Sequence, residues 1–411
     1  MWNNPYADLI EQRPFVRFGL ARTIGTLANQ MLMVAVAWQM YDITASAWDL
    51  GLVGLFQFVP ALLMTLPAGH IADRLHRARI FASSMLIQAA AALLLLVASH
   101  DSFVSRDLIF GISIMLGLAR AFQIPAQQAL IPQLVPARLL NRAIALSASG
   151  MQVAIICGPA LGGVLYAVGA ITVYAGSLVL LLLAGGLALS VRYLHQPPAM
   201  SASWRTVLAG VGFVWQRKVL LGAISLDLFA VLLGGATALL PIYAKDILHT
   251  GSVGLGLLRT APALGAFTMS LALTHRPLQR KVGPRLLWAV ALFGLATVAF
   301  GVSTNFGLSM LVLAVTGAAD NISVVTRQTL VQLETPDAMR GRVAAVNAIF
   351  IGASNQLGEF ESGATAALFG PVGAVVVGGI GTLLVALAWT RIFPALAQRD
   401  HMHSAGEAAG A

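Results

Sequence analysis

Long apolar runs fill this chain from one end to the other, and they constrain its fold more than any other feature. A helix that crosses the hydrocarbon core of a bilayer needs about 20 predominantly apolar residues. Twelve stretches of about that length follow one another along the 411 residues, near 17–40, 49–70, 80–98, 108–130, 143–166, 172–193, 219–243, 254–274, 286–303, 307–330, 343–367 and 372–393. The sequence therefore predicts an all-α membrane protein with twelve transmembrane helices.

The composition excludes several other classes of protein. Hydrophobic residues make up 58% of the chain and charged residues 10%, whereas soluble domains carry about 25% charged residues. A soluble enzyme is thereby excluded, and no cofactor or metal site is predicted. The 40 glycines, the 17 prolines and the unbroken apolar runs argue against the alternating strands of a membrane β-barrel. The single cysteine, Cys157, can form no intramolecular disulfide.

The positions of the basic residues predict the orientation in the membrane. Of the 25 lysines and arginines, four lie inside spans and two, Arg106 and Lys245, lie in predicted outer loops. The others fall in segments that are cytoplasmic if both termini are cytoplasmic, as the positive-inside rule requires. We therefore expect a multi-pass protein of the cell inner membrane. No removable signal peptide is expected, because the polar segment before the first apolar run has no cleavage-like site. The formal net charge of +9 then needs no nucleic-acid partner.

The twelve spans fall into two similar halves. Residues 117–142 align without gaps on residues 317–342, with matches that include Pro136 with Pro336 and Arg142 with Arg342. Each half has an even number of spans, so the halves share one orientation, as do the parallel repeats of transporters with a midplane site. The predicted segments are a cytoplasmic N-terminal segment at 1–16, helical bundles at 17–193 and 219–393, a cytoplasmic linker at 194–218 and a flexible cytoplasmic tail at 394–411.

The loop after span two carries a recognisable motif. Residues 69–79 read GHIADRLHRAR: a glycine, an Asp-Arg pair four residues later, and then a basic cluster. This segment resembles the signature loop of the major facilitator superfamily. It departs from the usual pattern at His76, where a glycine is common, and at Ala78, where a basic residue is common.

The resemblance implies a mechanical role for this loop. In the superfamily, the aspartate of the loop latches onto the cytoplasmic end of the eleventh helix and holds the outward-facing state. The matching conformational-latch residues here are Gly69, Asp73, Arg74 and Arg77. The physical chemistry agrees, because a carboxylate is stabilised near a helix N-terminus. The alternative is a basic cluster set by membrane orientation alone.

Span five contains a second motif of the superfamily. Its small residues and its proline are similar to the antiporter motif, and the matching positions are Gly150, Gly158, Pro159, Gly162 and Gly163. Small residues allow close helix contact and a proline bends the helix. The resemblance implies export by exchange, while ordinary glycine-rich packing is the alternative.

Spans four and ten each carry a polar stripe at positions i, i+3 and i+7. The stripes consist of Arg120, Gln123 and Gln127 in span four and of Asp320, Ser323 and Arg327 in span ten. Residues at this spacing share one helix face, and a polar face at mid-span cannot point at lipid. In the superfamily these helices line the cavity, so the resemblance implies that the stripes contact substrate. A buried structural pair is the alternative.

Four acidic residues inside the spans are candidates for proton coupling. Intramembrane carboxylates are costly and default to functional hypotheses. Asp320 and Glu359 are the leading candidates, followed by Asp227 and Glu361. Asn355 lies four residues before Glu359 and shares its face, whereas Glu361 points elsewhere. Arg120 and Arg327 are the candidate partners of Asp320 and Glu359, and a structural ion pair or packing site is the alternative role of the acids.

The resemblance covers residues 15–393 and is closest to one branch of the superfamily. The segments 38–44, 120–132 and 358–363 look most like bacterial drug:proton antiporters, a branch with siderophore (enterobactin-type) and macrolide exporters. The implied function is proton-coupled export of a bulky amphipathic molecule by a monomer that needs only its substrate, protons and the lipid bilayer. The alternatives are a proton symporter that imports a nutrient and, less well supported, a receptor or scaffold without transport.

Overall fold

Helices make up nearly all of the structure, a computed structural model that describes residues 7–193 and 204–402. The main helices are α1 (Arg13–Thr44), α2 (Ala47–Arg74), α3 (Arg77–His100), α4 (Arg106–Leu134), α5 (Leu140–Val168), α6 (Ala170–Leu189), α7 (Lys218–Gly234), α8 (Gly251–His275), α9 (Val282–Val302), α10 (Phe306–Glu334), α11 (337–369) and α12 (371–392). Eleven helical segments of the described chain are long and apolar enough to cross a membrane. The longest of them covers two predicted spans, so the twelve-helix prediction is confirmed.

The boundary between α11 and α12 is a single residue. The helix from Asp337 to Ile392 is continuous except at Gly370, whose φ of 75° and ψ of 164° are not helical. Glycine adopts a positive φ of this kind readily, whereas a residue with a Cβ does not. Gly370 therefore makes the turn between the last two spans.

The internal repeat extends to the helix caps. The Ser105 hydroxyl accepts a hydrogen bond from the amide of Leu108 at the start of α4 (3.3 Å). Two hundred residues later, the Asn305 side chain accepts one from the amide of Leu308 at the start of α10 (3.0 Å). Both are N-caps, which satisfy an otherwise unpaired helical amide. The two helices that carry the polar stripes, α4 and α10, therefore begin at equivalent positions of the two halves.

Span seven differs from its prediction as one helix over 219–243. Helix α7 ends at Gly234, and Gly235 has a ψ of 81°. The chain continues as a short 3₁₀ turn, a short α-turn and the π-turn Tyr243–Ile247. The consecutive glycines weaken the helix, and the freed carbonyl of Gly235 accepts a hydrogen bond from Ser362 Oγ (2.6 Å). The span is therefore a broken helix.

The predicted linker at 194–218 contains a helix, Trp204–Gln216. Val214 of this helix is buried in a cluster with Val343 and Val346 of α11. Gly210 faces the carbonyl of Arg342, where an added Cβ would lie 2.7 Å from the oxygen. The second half of this segment is therefore packed against α11.

Contacts between Cα atoms divide the chain into two compact units. The described residues of the first unit are 7–45, 55–193 and 250–260, and those of the second are 46–54, 204–249 and 261–402. In the first unit α1 packs on α5 and α6, and α3 packs on α4 and α6. In the second, α9 packs on α10 and on the α11–α12 run, which also packs on α7.

The segment after α12 belongs to the second unit. The amide of Gly283 donates to the carbonyl of Arg399 (2.9 Å), and the amide of Val282 donates to that of Asp400 (3.3 Å). Leu396 is fully buried. The part of the predicted flexible tail up to Met402 is thus packed against the start of α9, and the rest lies outside the described residues.

Candidate functional site

A buried ion pair joins α7 to α10. Arg327 Nη2 lies 3.0 Å from Asp227 Oδ2, and the two residues are 1% and 5% exposed. Charges this far from solvent persist only when they are paired. The sequence suggested Arg327 as a partner for Asp320 or Glu359, and the structure pairs it with Asp227 instead.

The same arginine also reaches α11. Its Nη1 donates a hydrogen bond to Asn347 Oδ1 (2.7 Å), and Asn347 is itself buried. The hydroxyl of Ser323 hydrogen-bonds the Asp227 carboxylate. Three helices therefore meet at one guanidinium group, which has a charged partner on α7 and a neutral partner on α11.

A cavity of about 170 Å³ lies beside this cluster in the second unit. The break in α7 forms one wall, through Gly234, Gly235, Ala236 and Thr237. Other walls come from α8, α9, α10 and α11, whose polar contributions are Thr297, Thr316, Asp320, Asn355 and Glu359. A broken helix at mid-span is where transporters commonly place a substrate or ion site.

Asp320 is the acid of the α10 stripe that faces this cavity. It is half-buried, and within the described chain its carboxylate makes no hydrogen bond and no ion pair. It lies within electrostatic range of both Asp227 and Arg327. Asp320 is therefore a carboxyl group that can exchange a proton with the cavity while a buried cation lies nearby.

The α11 acids are separated as the helical spacing predicts. Glu359 and Asn355 both line the cavity, and Glu359 packs over Gly54, where an added Cβ would lie 2.9 Å from its Oε2. Glu361 is not among the lining residues, and its Oε1 accepts a hydrogen bond from Thr365 (2.8 Å). The structure thus brings Asp320 and Glu359 to one cavity and leaves Glu361 on another face.

The α4 stripe lies in the first unit. Arg120 is exposed and Gln127 is half-buried. Gln123 accepts a hydrogen bond from the fully buried Gln88 of α3 (2.8 Å), which in turn accepts one from Asn29 of α1 (2.6 Å). A polar chain therefore links three helices at mid-span and ends beside an exposed arginine.

The signature-loop residues lie at the end of α2 and the start of α3. Arg74 is exposed and Gly69 is half-buried, whereas the side chain of Asp73 lies outside the described residues. Arg77 is buried, and it donates to the carbonyls of Ala72 (3.3 Å) and Ala129 (2.8 Å). Arg77 thus ties the loop to α4, and the latch role of these residues remains a prediction.

The small residues of span five lie in close contact with two helices, α1 and α8, within the first unit. An added Cβ on Gly162 would lie 2.8 Å from the Cα of Met31 in α1. On another side, Ser252 of α8 donates its hydroxyl to the carbonyl of Gly163 (3.1 Å), and Gly158 and Pro159 are buried. Gly150 lies earlier in α5, against Thr23 of α1. Close approach explains these glycines, and their role in exchange remains a prediction.

Two buried amides are among the polar residues of the site that were missed from the sequence. Asn347 lies in the predicted eleventh span and Gln88 in the third, and each is an amide within a long apolar run. An uncharged amide costs less in a membrane than a charge, so its presence in a span is weaker evidence of a functional site than an acid or an arginine. A search for isolated amides anywhere within the apolar spans would have found both.

Comparison with known proteins extends these observations. The model of the transmembrane secretion effector family matches residues 4–407. The Enterobactin exporter EntS of Citrobacter koseri is 28% identical over 384 residues, which cover 90% of this chain and 89% of that protein. Among solved structures, a POT family transporter in complex with a thioalcohol-conjugated peptide has a TM-score of 0.75 at 10% identity and covers 94% of this chain and 97% of its own. The nucleoside transporter NupG has a TM-score of 0.69 at 15% identity and covers 92% and 99%.

Proposed function

The chain belongs to the transmembrane secretion effector family of major facilitator transporters, and from that membership we propose that it exports a siderophore-like amphipathic molecule in exchange for protons by alternating access. The observation that carries the export direction and the substrate class is the match over about nine-tenths of both chains to an enterobactin exporter. The antiporter-like residues of α5 support the same direction. It is a multi-pass membrane transporter and not an enzyme.

Proton coupling is assigned to the cavity beside the break in α7. The described residues that line it include two carboxylates, Asp320 and Glu359, and no basic side chain. A carboxyl group in such a place takes up a proton when its surroundings favour the neutral form and releases it when a cation approaches. Asp320 is the leading candidate because it has no hydrogen-bond or ion-pair partner in the described chain.

Substrate recognition is assigned to the α4 stripe. An exposed arginine at mid-span cannot face lipid at low cost, so we place Arg120 on the aqueous path together with Gln123 and Gln127. Arginine suits the catecholate groups of siderophores because its planar donors match pairs of oxygens. Ser323 and Arg327 are buried, and we propose that they set charge pairing and do not contact substrate.

Transport into inverted inner-membrane vesicles tests the function. With an acidic lumen, vesicles that contain the protein are expected to accumulate iron-free enterobactin several-fold over vesicles without it, and a protonophore is expected to abolish the difference. Uptake that survives the protonophore would contradict proton coupling. Uptake that requires the reverse gradient would support a symporter instead.

Thiol labelling of whole cells tests the proposed inner-membrane orientation, with both termini cytoplasmic. The variants carry one cysteine each in a Cys157→Ser background, at Asp101, His249, Arg79 or Arg280, four positions that are exposed in the structure. An impermeant maleimide is expected to label the first two and not the last two, because the basic residues place Arg79 and Arg280 on the cytoplasmic side. A permeant maleimide provides the total for each variant, and the reverse pattern would overturn the orientation.

A further inference from the structure

We propose that Arg327 is a counter-ion shared between Asp227 and Asp320, and that Asn347 is the positioning residue that holds it on Asp227. This inference rests on the proposed function, in which Asp320 carries the exchanged proton. It adds Arg327 as the group that responds to the charge of Asp320, and Asn347 as the residue that sets the strength of this response.

The geometry of α10 places Asp320 on the same helix face as the arginine that pairs with Asp227. Asp320 and Arg327 are seven residues apart, so they lie on one helix face and about 10 Å apart along the axis. Side chains on a helix tilt toward its N-terminus, so the Arg327 side chain extends in the direction of Asp320. In the structure its Nη2 lies on Asp227, and Asp320 remains within its electrostatic range.

The charges of the cluster do not balance when both acids are ionised. Two carboxylates, Asp227 and Asp320, then compete for one guanidinium, and the interaction is strong because water is largely excluded. Among the described residues that line the cavity, Glu359 is the other charged group, and the residues that α8 and α9 contribute, Pro262, Phe293 and Thr297, carry no charge. The charge state of Asp320 therefore governs how strongly Arg327 is drawn from Asp227.

The resulting step couples one proton to a movement of the guanidinium. When Asp320 releases its proton to the cavity, its new negative charge attracts Arg327, and the guanidinium moves toward Asp320 so that the two carboxylates share it. Asp227 keeps the hydrogen bond from Ser323. When a proton returns to Asp320, the attraction ends and Arg327 returns to Asp227, the arrangement seen in the structure.

Asn347 sets the balance between these two arrangements. Its Oδ1 accepts a hydrogen bond from Nη1 of Arg327 and so gives the guanidinium an uncharged partner that does not line the cavity. Removal of this partner frees the guanidinium for Asp320 and favours the ionised form of that acid. A carboxylate in its place holds the guanidinium more firmly and favours the protonated form.

An infrared pH titration of the purified wild-type protein and its variants tests the proposal without a transport assay. A C=O stretching band of a protonated carboxyl is assigned to Asp320 if it is present in the wild type and absent from the Asp320→Asn variant. The midpoint of this band is expected to fall by about one pH unit in Asn347→Ala and to rise by about one unit in Asn347→Asp, as for other carboxyls whose ion pairing changes. If the alanine variant folds poorly, Asn347→Ser takes its place. The serine side chain is too short to reach the arginine, so the midpoint is expected to fall by the same amount.

The matched control is Ser354→Ala, a change on the same helix. Ser354 is buried, and within the described residues its hydroxyl donates to the carbonyl of Ile351 alone (3.0 Å), so its removal is expected to leave the midpoint unchanged. A structural role for Asn347 alone would lower stability without opposite shifts in the alanine and aspartate variants. Equal midpoints in these two variants, or no titrating band assigned to Asp320, would overturn the proposal. Failure of the wild-type vesicle assay would instead overturn proton-coupled export.

Discussion

Arg327→Leu is expected to destabilise the folded protein strongly. The substitution leaves Asp227 buried and ionisable without its counter-ion, and the loss of one partner of a buried pair costs about 3–5 kcal/mol. Folded proteins are stable by only about 5–15 kcal/mol, so the variant is expected to accumulate poorly in the membrane. Thermal unfolding of purified protein in detergent, together with its membrane abundance, measures the effect.

Two further variants separate the ion pair from a general effect of removing an arginine. The double variant Asp227→Asn/Arg327→Leu removes both charges and is expected to recover most of the lost stability, because neutral replacements of buried pairs are often tolerated. Arg120→Leu removes an exposed arginine of α4 and is expected to change stability by less than about 1 kcal/mol. Equal stability of the wild type and the Arg327→Leu variant would contradict a structural need for the pair.

Asp320→Asn is expected to abolish proton-driven transport while substrate binding changes by less than about tenfold, or about 1.4 kcal/mol. Asparagine keeps the shape of the side chain but can neither release a proton nor attract Arg327 by charge. Proteoliposomes with a trapped pH dye measure substrate-induced proton movement. Binding of the same substrate to detergent-purified protein shows whether the site has survived.

Glu361→Gln is the matched control for this prediction. Glu361 is another carboxylate of the membrane-spanning region, but it lies away from the cavity lining and bonds Thr365 of its own helix. Proton movement in this variant is expected to persist. Wild-type proton movement in Asp320→Asn would assign Asp320 a structural role, and the coupling acid would then be sought at Glu359 or Asp227.

The architecture could be predicted because it depends on local properties of the chain. The apolar length of each segment and the bias of its basic flanks are set by the bilayer, so the twelve spans follow from the sequence. The polar stripe of α10 follows as well, since residues three, four and seven apart on a helix share a face. Both predictions need no knowledge of which helices are neighbours.

The partners within the site depend on how separate helices are rotated about their axes, which local spacing does not fix. Asp227 and Arg327 are one hundred residues apart, and their contact requires α7 and α10 to present these side chains to each other. The break at Gly235 was missed for another reason, because glycine pairs are common in membrane helices and only tertiary contacts decide which pair unwinds. The contact between Asn347 and Arg327 was missed for the first reason, because it depends on how α11 is rotated about its axis relative to α10.

The one-residue connection at Gly370 sets how α12 is rotated about its own axis. Successive residues of a helix are turned by about 100°, so the insertion or deletion of one residue at this turn would rotate α12 against its neighbours by that amount. Its interface includes Thr382, whose hydroxyl donates to the carbonyl of Ala230 in α7 (3.1 Å), and Gly379, which packs against the carbonyl of Gly294 in α9. Most loops of membrane proteins absorb changes of length, whereas here the gain or loss of a single codon would turn this interface away from both helices.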